Sequence, residues 1–202
     1  MNKLSMAAAL VAVFSGSVSA FEIKERPVVY LGTEIGSGSG EENYLVGGEE
    51  FSTDVDHDLK RITLGFRSHH DNRFEISYLQ NDLSGDEFGD EQITSLNFDA
   101  VVTVTDYKIR PFVRVGFGFT SYVDSNEYIN DQDADLRGFS LSGGAGVLFE
   151  VIPQLELDIG YHYTSIGWED LYFVDDSGES STAYDLGNDF SYASAGFRVL
   201  FR

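Results

Sequence analysis

From Val29 to Phe201 the chain alternates apolar and polar residues with a period of two, in eight separate runs. A period of two belongs to a β-strand whose two faces meet different surroundings. The clearest run places Ile109, Pro111, Val113, Val115, Phe117 and Phe119 on one face. Arg110, Phe112, Arg114, Gly116, Gly118 and Thr120 take the other. The same pattern recurs at Val29–Ile35, Ile62–Phe66, Phe74–Tyr78, Leu96–Val104, Phe139–Phe149, Leu155–Tyr163 and Ala193–Phe201.

The connections between these runs alternate as well. His69–Asn72, Thr105–Asp106 and Ile152–Gln154 are tight turns, whereas Gly36–His57, Asn81–Glu91, Ser121–Arg137 and Ser165–Asp189 are long and polar. An even number of strands with strictly alternating long and short connections matches a membrane barrel, with loops outside and turns in the periplasm. A soluble sandwich has no reason to sort its connections in this way. The pattern therefore predicts an all-β, eight-stranded antiparallel up-and-down transmembrane β-barrel with four long extracellular loops and three short periplasmic turns.

Charge sharpens that reading. The chain carries 13 Lys+Arg against 34 Asp+Glu, a net charge of −21. The four long connections hold 23 of the acids and a single base, Arg137. The acid excess gives no support to a nucleic-acid partner, which would require a basic face. Cysteine is absent, which removes disulfides, thiol catalysis and Cys-ligated zinc.

Residues 1–20 read as a cleaved secretory leader, with Lys3, an apolar run from Ala7 to Phe14, and small residues at Val18-Ser19-Ala20. Its apolar run falls far short of the roughly 20 residues that span a bilayer as a helix. Residues 21–202 then form the barrel domain. Ending at the eighth strand, the chain is expected to carry no periplasmic domain after the barrel.

The faces opposite the apolar ones carry Arg61, Arg67, Arg73, Arg110, Arg114 and Arg198, with Glu34, Glu75, Asp99, Glu150, Glu156 and Asp158. Six charges of each sign on one face predict a paired ionic interior behind a lipid-facing wall. Neighbouring strands would set Arg110 and Arg114 near Glu150, and Arg198 opposite Glu156 and Asp158. Inward glycines at 65, 116, 118, 144, 146, 160 and 196 would leave space for a pore. Eight-stranded barrels are nevertheless usually filled by side chains.

The stretch from Leu155 to Gly167, with Gly160-Tyr161-His162-Tyr163 at its centre, resembles the penultimate strand of the OmpA-like, opacity-type porin family. Arg110-Pro111-Phe112-Val113-Arg114-Val115-Gly116-Phe117-Gly118-Phe119 and Gly196-Phe197-Arg198-Val199-Leu200-Phe201 are similar to two more of its strands. His162 stands where that family usually has Arg, and Arg202 follows the closing aromatic. The resemblance implies the outer membrane of a Gram-negative bacterium, insertion by the barrel assembly machinery and a monomer. It also implies a non-enzymatic role in envelope structure or surface interaction. Partners would be outer-membrane lipid and lipopolysaccharide, reached through divalent cations at the acidic loops.

Sequence signals for chemistry are weak. His162-Tyr163-Thr164 approaches the His-x-Ser pair of outer-membrane lipid A deacylases, but His162 and Thr164 share the inward face and only Ser165 faces lipid. Asp131-Gln132-Asp133-Ala134-Asp135 begins like a calcium loop, yet Leu136 replaces the required Gly and Ser142 the bidentate carboxylate. Gly36-Ser37-Gly38-Ser39-Gly40 lacks the lysine of a phosphate loop and reads as a flexible loop stem. His57, His69 and His70 fall on a loop and a turn without a third ligand. Trp168 reads as an anchor at the membrane interface. No catalytic residue, metal site or cofactor is expected. A passive pore is the alternative function, and a lipid A-modifying enzyme a more distant one.

Overall fold

A computed structural model describes residues 28–46, 49–68, 72–84, 91–104, 107–123, 136–169, 171–174 and 180–201. Residues 1–20, read from sequence as a leader, together with His69-His70, Thr105-Asp106 and Asp131–Asp135, lie outside the described residues. The elements are β1 (Val28–Val46), β2 (Glu49–Arg67), β3 (Arg73–Ser84), β4 (Gln92–Thr103), β5 (Ile109–Val123), β6 (Leu136–Ile152), β7 (Leu155–Trp168), β8 (Leu171–Val174) and β9 (Ser180–Phe201). All but β8 are barrel staves. Each pairs antiparallel with its sequence neighbour, and β9 pairs with both β7 and β1 to close the sheet. Closure leaves the lipid-embedded wall without a free edge, as hydrocarbon demands. β8 pairs only with the upper part of β9.

The register fixes the barrel's shear. Starting at Val29, direct partners run through Phe66, Phe74, Ala100, Val115, Gly143, Tyr163 and Ser191, then return to β1 at Ser39, ten residues further along. That stagger tilts the strands steeply against the barrel axis. On β5 the outward apolar run from Ile109 to Phe119 then spans roughly 25 Å of height, which matches the hydrocarbon-facing band of an outer-membrane barrel.

Period-two parity sorts the side chains. Leu31, Ile62, Leu64, Phe74, Ile76, Leu157 and Ile159 are exposed on the outer wall, while Arg61, Arg73, Glu75, Arg114, Glu156 and Asp158 are buried inside. Phe98, Phe117, Phe119 and Phe139 form a chain of neighbouring rings across β4, β5 and β6 on the outer face.

The strands outrun the sequence reading at their extracellular ends. The segment from Gly36 to His57 is largely a continuous hairpin, with β1 and β2 in register up to Val46 opposite Glu49. Gly36–Gly40 is therefore strand rather than flexible loop. Its inward glycines let β1 lie close against Phe190 and Tyr192 of β9: a Cβ on Gly38 would sit 2.6 Å from the Tyr192 Cα. A Gly/Ser alternation has no apolar face, so the strand left no hydropathic trace in the sequence.

Candidate functional site

The barrel interior is the most constrained part of the molecule, and it is layered. At the periplasmic end Glu156 of β7 is the hub of an ionic cluster. Its carboxylate accepts from Arg67 at 3.2 Å, Arg73 at 2.6 Å and Arg110 at 2.5 Å. Arg110 also reaches Glu150 at 3.3 Å. These residues come from β2, β3, β5, β6 and β7, so the cluster ties staves across the lumen.

A second cluster lies above it. Arg114 pairs with Glu34 at 3.1 Å and with Glu75 at 3.3 Å. Arg198 pairs with Glu75 at 3.2 Å and with Asp158 at 3.6 Å, and Arg61 lies 3.8 Å from Glu34. Asp99 accepts from the hydroxyls of Ser77 and Ser142 at 3.3 and 3.4 Å. Two of the pairings expected from strand adjacency differ. Arg114 crosses the lumen to Glu34 and Glu75 instead of meeting Glu150, and Glu156 takes three other arginines instead of Arg198. Long side chains in a narrow lumen reach opposite staves as readily as adjacent ones.

Tyr30 joins the two clusters and was not singled out by sequence. Its hydroxyl donates to Glu75 at 2.6 Å, and the Arg73 and Arg198 guanidinium carbons lie 5.5 and 5.8 Å from its ring centroid. The ring occupies the space above Gly65, its direct partner on β2. The other inward glycines are filled in the same way. Asp99 covers Gly116, Asn97 covers Gly118, Phe112 covers Gly146, and His162 covers both Gly144 and Gly160. Against Gly196 lie the β1 backbone and Asp158. The space expected from these glycines is therefore occupied by side chains and backbone.

His162 is buried, with its ring 5.1 Å from that of Tyr192 and 6.5 Å from that of Phe112. Its Nε2 lies 3.6 Å from Glu34. Ser165 sits on the outward parity, so the two do not assemble into a nucleophile and base. Among the described residues no group of three or more His, Cys, Asp or Glu side chains is placed to hold a metal ion.

Toward the extracellular end the interior changes character. His57 is on β2, buried and inward-facing, rather than in a loop. Its ring packs 4.8 Å from Phe190 and 5.8 Å from Tyr192. Above it lies a hydrophobic core built from Val55, Leu83, Ile93, Tyr122, Leu136, Ile166, Trp168 and Phe190, with Leu186 packed against it. Trp168 is thus a core residue and not an interface anchor. Its indole N–H donates to Asn188 at 2.5 Å, and its ring meets Tyr122 edge-on at 5.9 Å. The Tyr122 hydroxyl donates to Glu91. Glu42 is half-buried on the inward parity at the same mouth, and burial, with the Glu91 carboxylate adding to it, pushes its pKa up to about 7.

The outer wall changes at the same height. On β2 the outward series Phe66, Leu64, Ile62 gives way to Lys60, Asp58, Asp56 and Asp54. On β3 Tyr78 is followed by Gln80 and Asp82, and on β7 Tyr163 is followed by Ser165. Lys60 and Asp82 pair at 2.8 Å on this rim, and Gln80 and Gln92 each donate to Asp82 at 2.9 Å. Below the rim the barrel is apolar outside and mainly ionic inside, with a small apolar cluster of Val101, Phe112 and Leu148 set among the charges. Above it the barrel is polar outside and apolar inside, like a water-soluble protein.

Residues 6–198 match a family model described as the outer membrane protein beta-barrel domain. Among solved structures, Neisserial surface protein A is similar with a TM-score of 0.55 and 20% identity, over 86% of this chain and 97% of that one. OprG from Pseudomonas aeruginosa gives 0.52 and 12%, over 88% and 97%. AlkL, solved in DMPC bilayers, gives 0.52 and 11%, over 88% and 92%. At these identities the likeness is one of fold. No curated protein matches the sequence.

Proposed function

Because the chain belongs to the outer membrane protein β-barrel family and resides in the outer membrane of a Gram-negative bacterium, we propose that it is a non-enzymatic, non-conducting barrel whose extracellular hairpins are its working surface. The observation that carries this reading is the doubly filled lumen. Ion pairs occupy its lower part and a hydrophobic core its upper part, and rings or polar side chains cover the glycines that could have opened it. A conducting lumen needs a continuous wetted path, and a buried apolar layer removes it.

The hairpin surface is acidic where it leaves the membrane. Asp54, Asp56 and Asp58 are exposed on successive outward positions of β2. Carboxylate oxygens suit hard divalent cations, and such cations would link this rim to the phosphates of neighbouring lipopolysaccharide. The barrel acts as a monomer in this reading.

Planar bilayer recording of the purified protein tests the closed lumen. No stepwise conductance is expected in neutral buffer. Regular steps would instead assign the protein to the small porins. Mass spectrometry of lipid A from cells expressing the protein is expected to show unchanged acylation.

A further inference from the structure

We propose that the β2–β3 wall of the barrel thins the outer leaflet of the membrane beside it. Its partner is lipid whose acyl chains are short or disordered enough to pack there at reduced height. The inference goes beyond the reading of the hairpins as a working surface and stands whether or not the lumen conducts.

The apolar band differs in height around the barrel. On β6 the outward series Phe149, Val147, Ala145, Gly143, Leu141 and Phe139 is apolar throughout, as is Ile109–Phe119 on β5. At roughly 2.5 Å of height per residue, each series rises about 25 Å, the full hydrocarbon-facing band. On β2 the outward apolar series is only Phe66, Leu64 and Ile62, and on β3 only Phe74, Ile76 and Tyr78. Each of these rises about 10 Å. The stretch below them, Ser68–Asn72, holds no apolar residue, and above them come Lys60 and Asp58 on β2 and Gln80 and Asp82 on β3.

Register places opposite walls on one scale. β2 and β6 stand half a circuit apart in the closed sheet. Direct partners run from Phe66 through Phe74, Ala100 and Val115 to Gly143. A full circuit climbs ten residues, so half of it climbs five and Gly143 stands level with Arg61. Leu141 is then level with Leu59, and Phe139 with His57. At those heights β2 turns Lys60 and Asp58 outward, and the Lys60 side chain, paired with Asp82 at 2.8 Å, is 63% exposed. An outer leaflet of one height around the barrel, tall enough to cover Phe139, would sink that pair into hydrocarbon, where charge is costly.

The lower edges of the two walls are level, because Phe149 matches the height of Arg67, next to Phe66. A rigid tilt that submerged Phe139 while freeing Lys60 would therefore lift Ser68 into the hydrocarbon. The mismatch lies in the outer leaflet, and a bilayer meets a short apolar wall by thinning beside it.

The chain has no cysteine, so single nitroxide labels report cleanly from the full-length protein in dioleoylphosphatidylcholine vesicles. Power-saturation EPR with oxygen and a nickel chelate reads their depth. Lys60→Cys and Leu141→Cys place labels within one residue of the same height. The label at 141 is expected in hydrocarbon with oxygen access, and the label at 60 among headgroups with nickel access, at least roughly 5 Å shallower. A label at Ser68→Cys should stay among the headgroups of the opposite leaflet. Lys60→Leu/Asp82→Leu removes both partners of the ion pair, and should draw a label at Ile62→Cys deeper by about 2.5 Å, one residue of height.

Equal depths at 60 and 141 would overturn the proposal in favour of a flat bilayer. A Ser68 label in hydrocarbon would overturn it in favour of rigid tilt. A label at 60 shielded from both oxygen and nickel would also overturn it, giving the wall to a second protein molecule. So would an unchanged Ile62 depth in the double variant, since the polar rim would then not set the height of the lipid.

Discussion

Below the level of Ile62 and Tyr78 the strands hold most of the buried charge inside and hydrocarbon outside; above it the same strands turn largely apolar inside, around a few buried polar groups such as His57, Asn81 and Asn188, and polar outside. β2 shows the change within one element. Its outward residues pass from Leu64 and Ile62 to Asp58, Asp56 and Asp54, while its inward residues pass from Arg61 to Leu59, His57 and Val55. Backbone pairing is continuous across the change, so the strand does not register it. The solvent does. Lipid rewards an apolar exterior and leaves the lumen to satisfied polar groups, whereas water outside the bilayer restores the ordinary preference for an apolar core. The two regions are one sheet stabilised by two different balances, and they should fail differently.

The largest effect is expected in the ionic region. Glu156→Ala leaves three guanidiniums, from Arg67, Arg73 and Arg110, without their shared acceptor. Breaking one side of a buried ion pair typically costs about 3–5 kcal/mol, and this hub should lie at the upper end. Urea unfolding in lipid vesicles measures it, and a loss below about 1 kcal/mol would show that the lower lumen is wet enough to screen its charges.

Phe190→Ala tests the other region. The side chain is fully buried in the upper core, and removing it should cost about 3 kcal/mol through lost burial and a residual cavity. Hydrogen exchange should report the damage locally, as faster exchange at the upper ends of β1, β2 and β9 with the lipid-embedded amides unchanged. Uniform acceleration along the strands would mean that the two regions unfold as one unit.

A pair of substitutions on the same face of the same strand locates the boundary. Leu64→Arg places a charge against hydrocarbon and should cost about 2–3 kcal/mol. Asp56→Arg, also outward but above the rim, should stay within about 0.5 kcal/mol of the parent. Equal costs would erase the distinction between the two regions.

The smallest effect is pH dependence at the mouth. Glu42 has a raised folded pKa, so the folded state holds its proton more tightly than the unfolded chain. Stability at this end should fall as pH rises from the ordinary glutamate range through about 7. Glu42→Gln should remove that slope, which exchange rates of neighbouring amides between pH 5 and 8 would reveal.

Sequence alone determined the strand period, its phase within the membrane, the eight staves and the inward set of arginines and carboxylates. These follow from local alternation and from the sorting of loop lengths, and neither needs contacts to be known. Sequence read the strands as stopping near Gly36, Asn81, Ser121 and Ser165. At Asn81, Ser121 and Ser165 the apolar residues move to the other parity, as they do on β2, where Val55 and Leu59 are out of phase with Ile62 and Leu64, whereas the Gly/Ser run after Gly36 has no apolar face at all. A reader following one phase sees the pattern end where it has only inverted. Trp168 escapes the sequence pattern for the same reason, since an aromatic near the rim suits a lipid interface and a soluble-type core equally well. The tertiary structure decided the height of that inversion and which charges meet. Glu156 gathers three arginines and Tyr30 fills the space over Gly65 because shear and lumen width set which side chains can reach across the barrel, and neither quantity is written in any single strand.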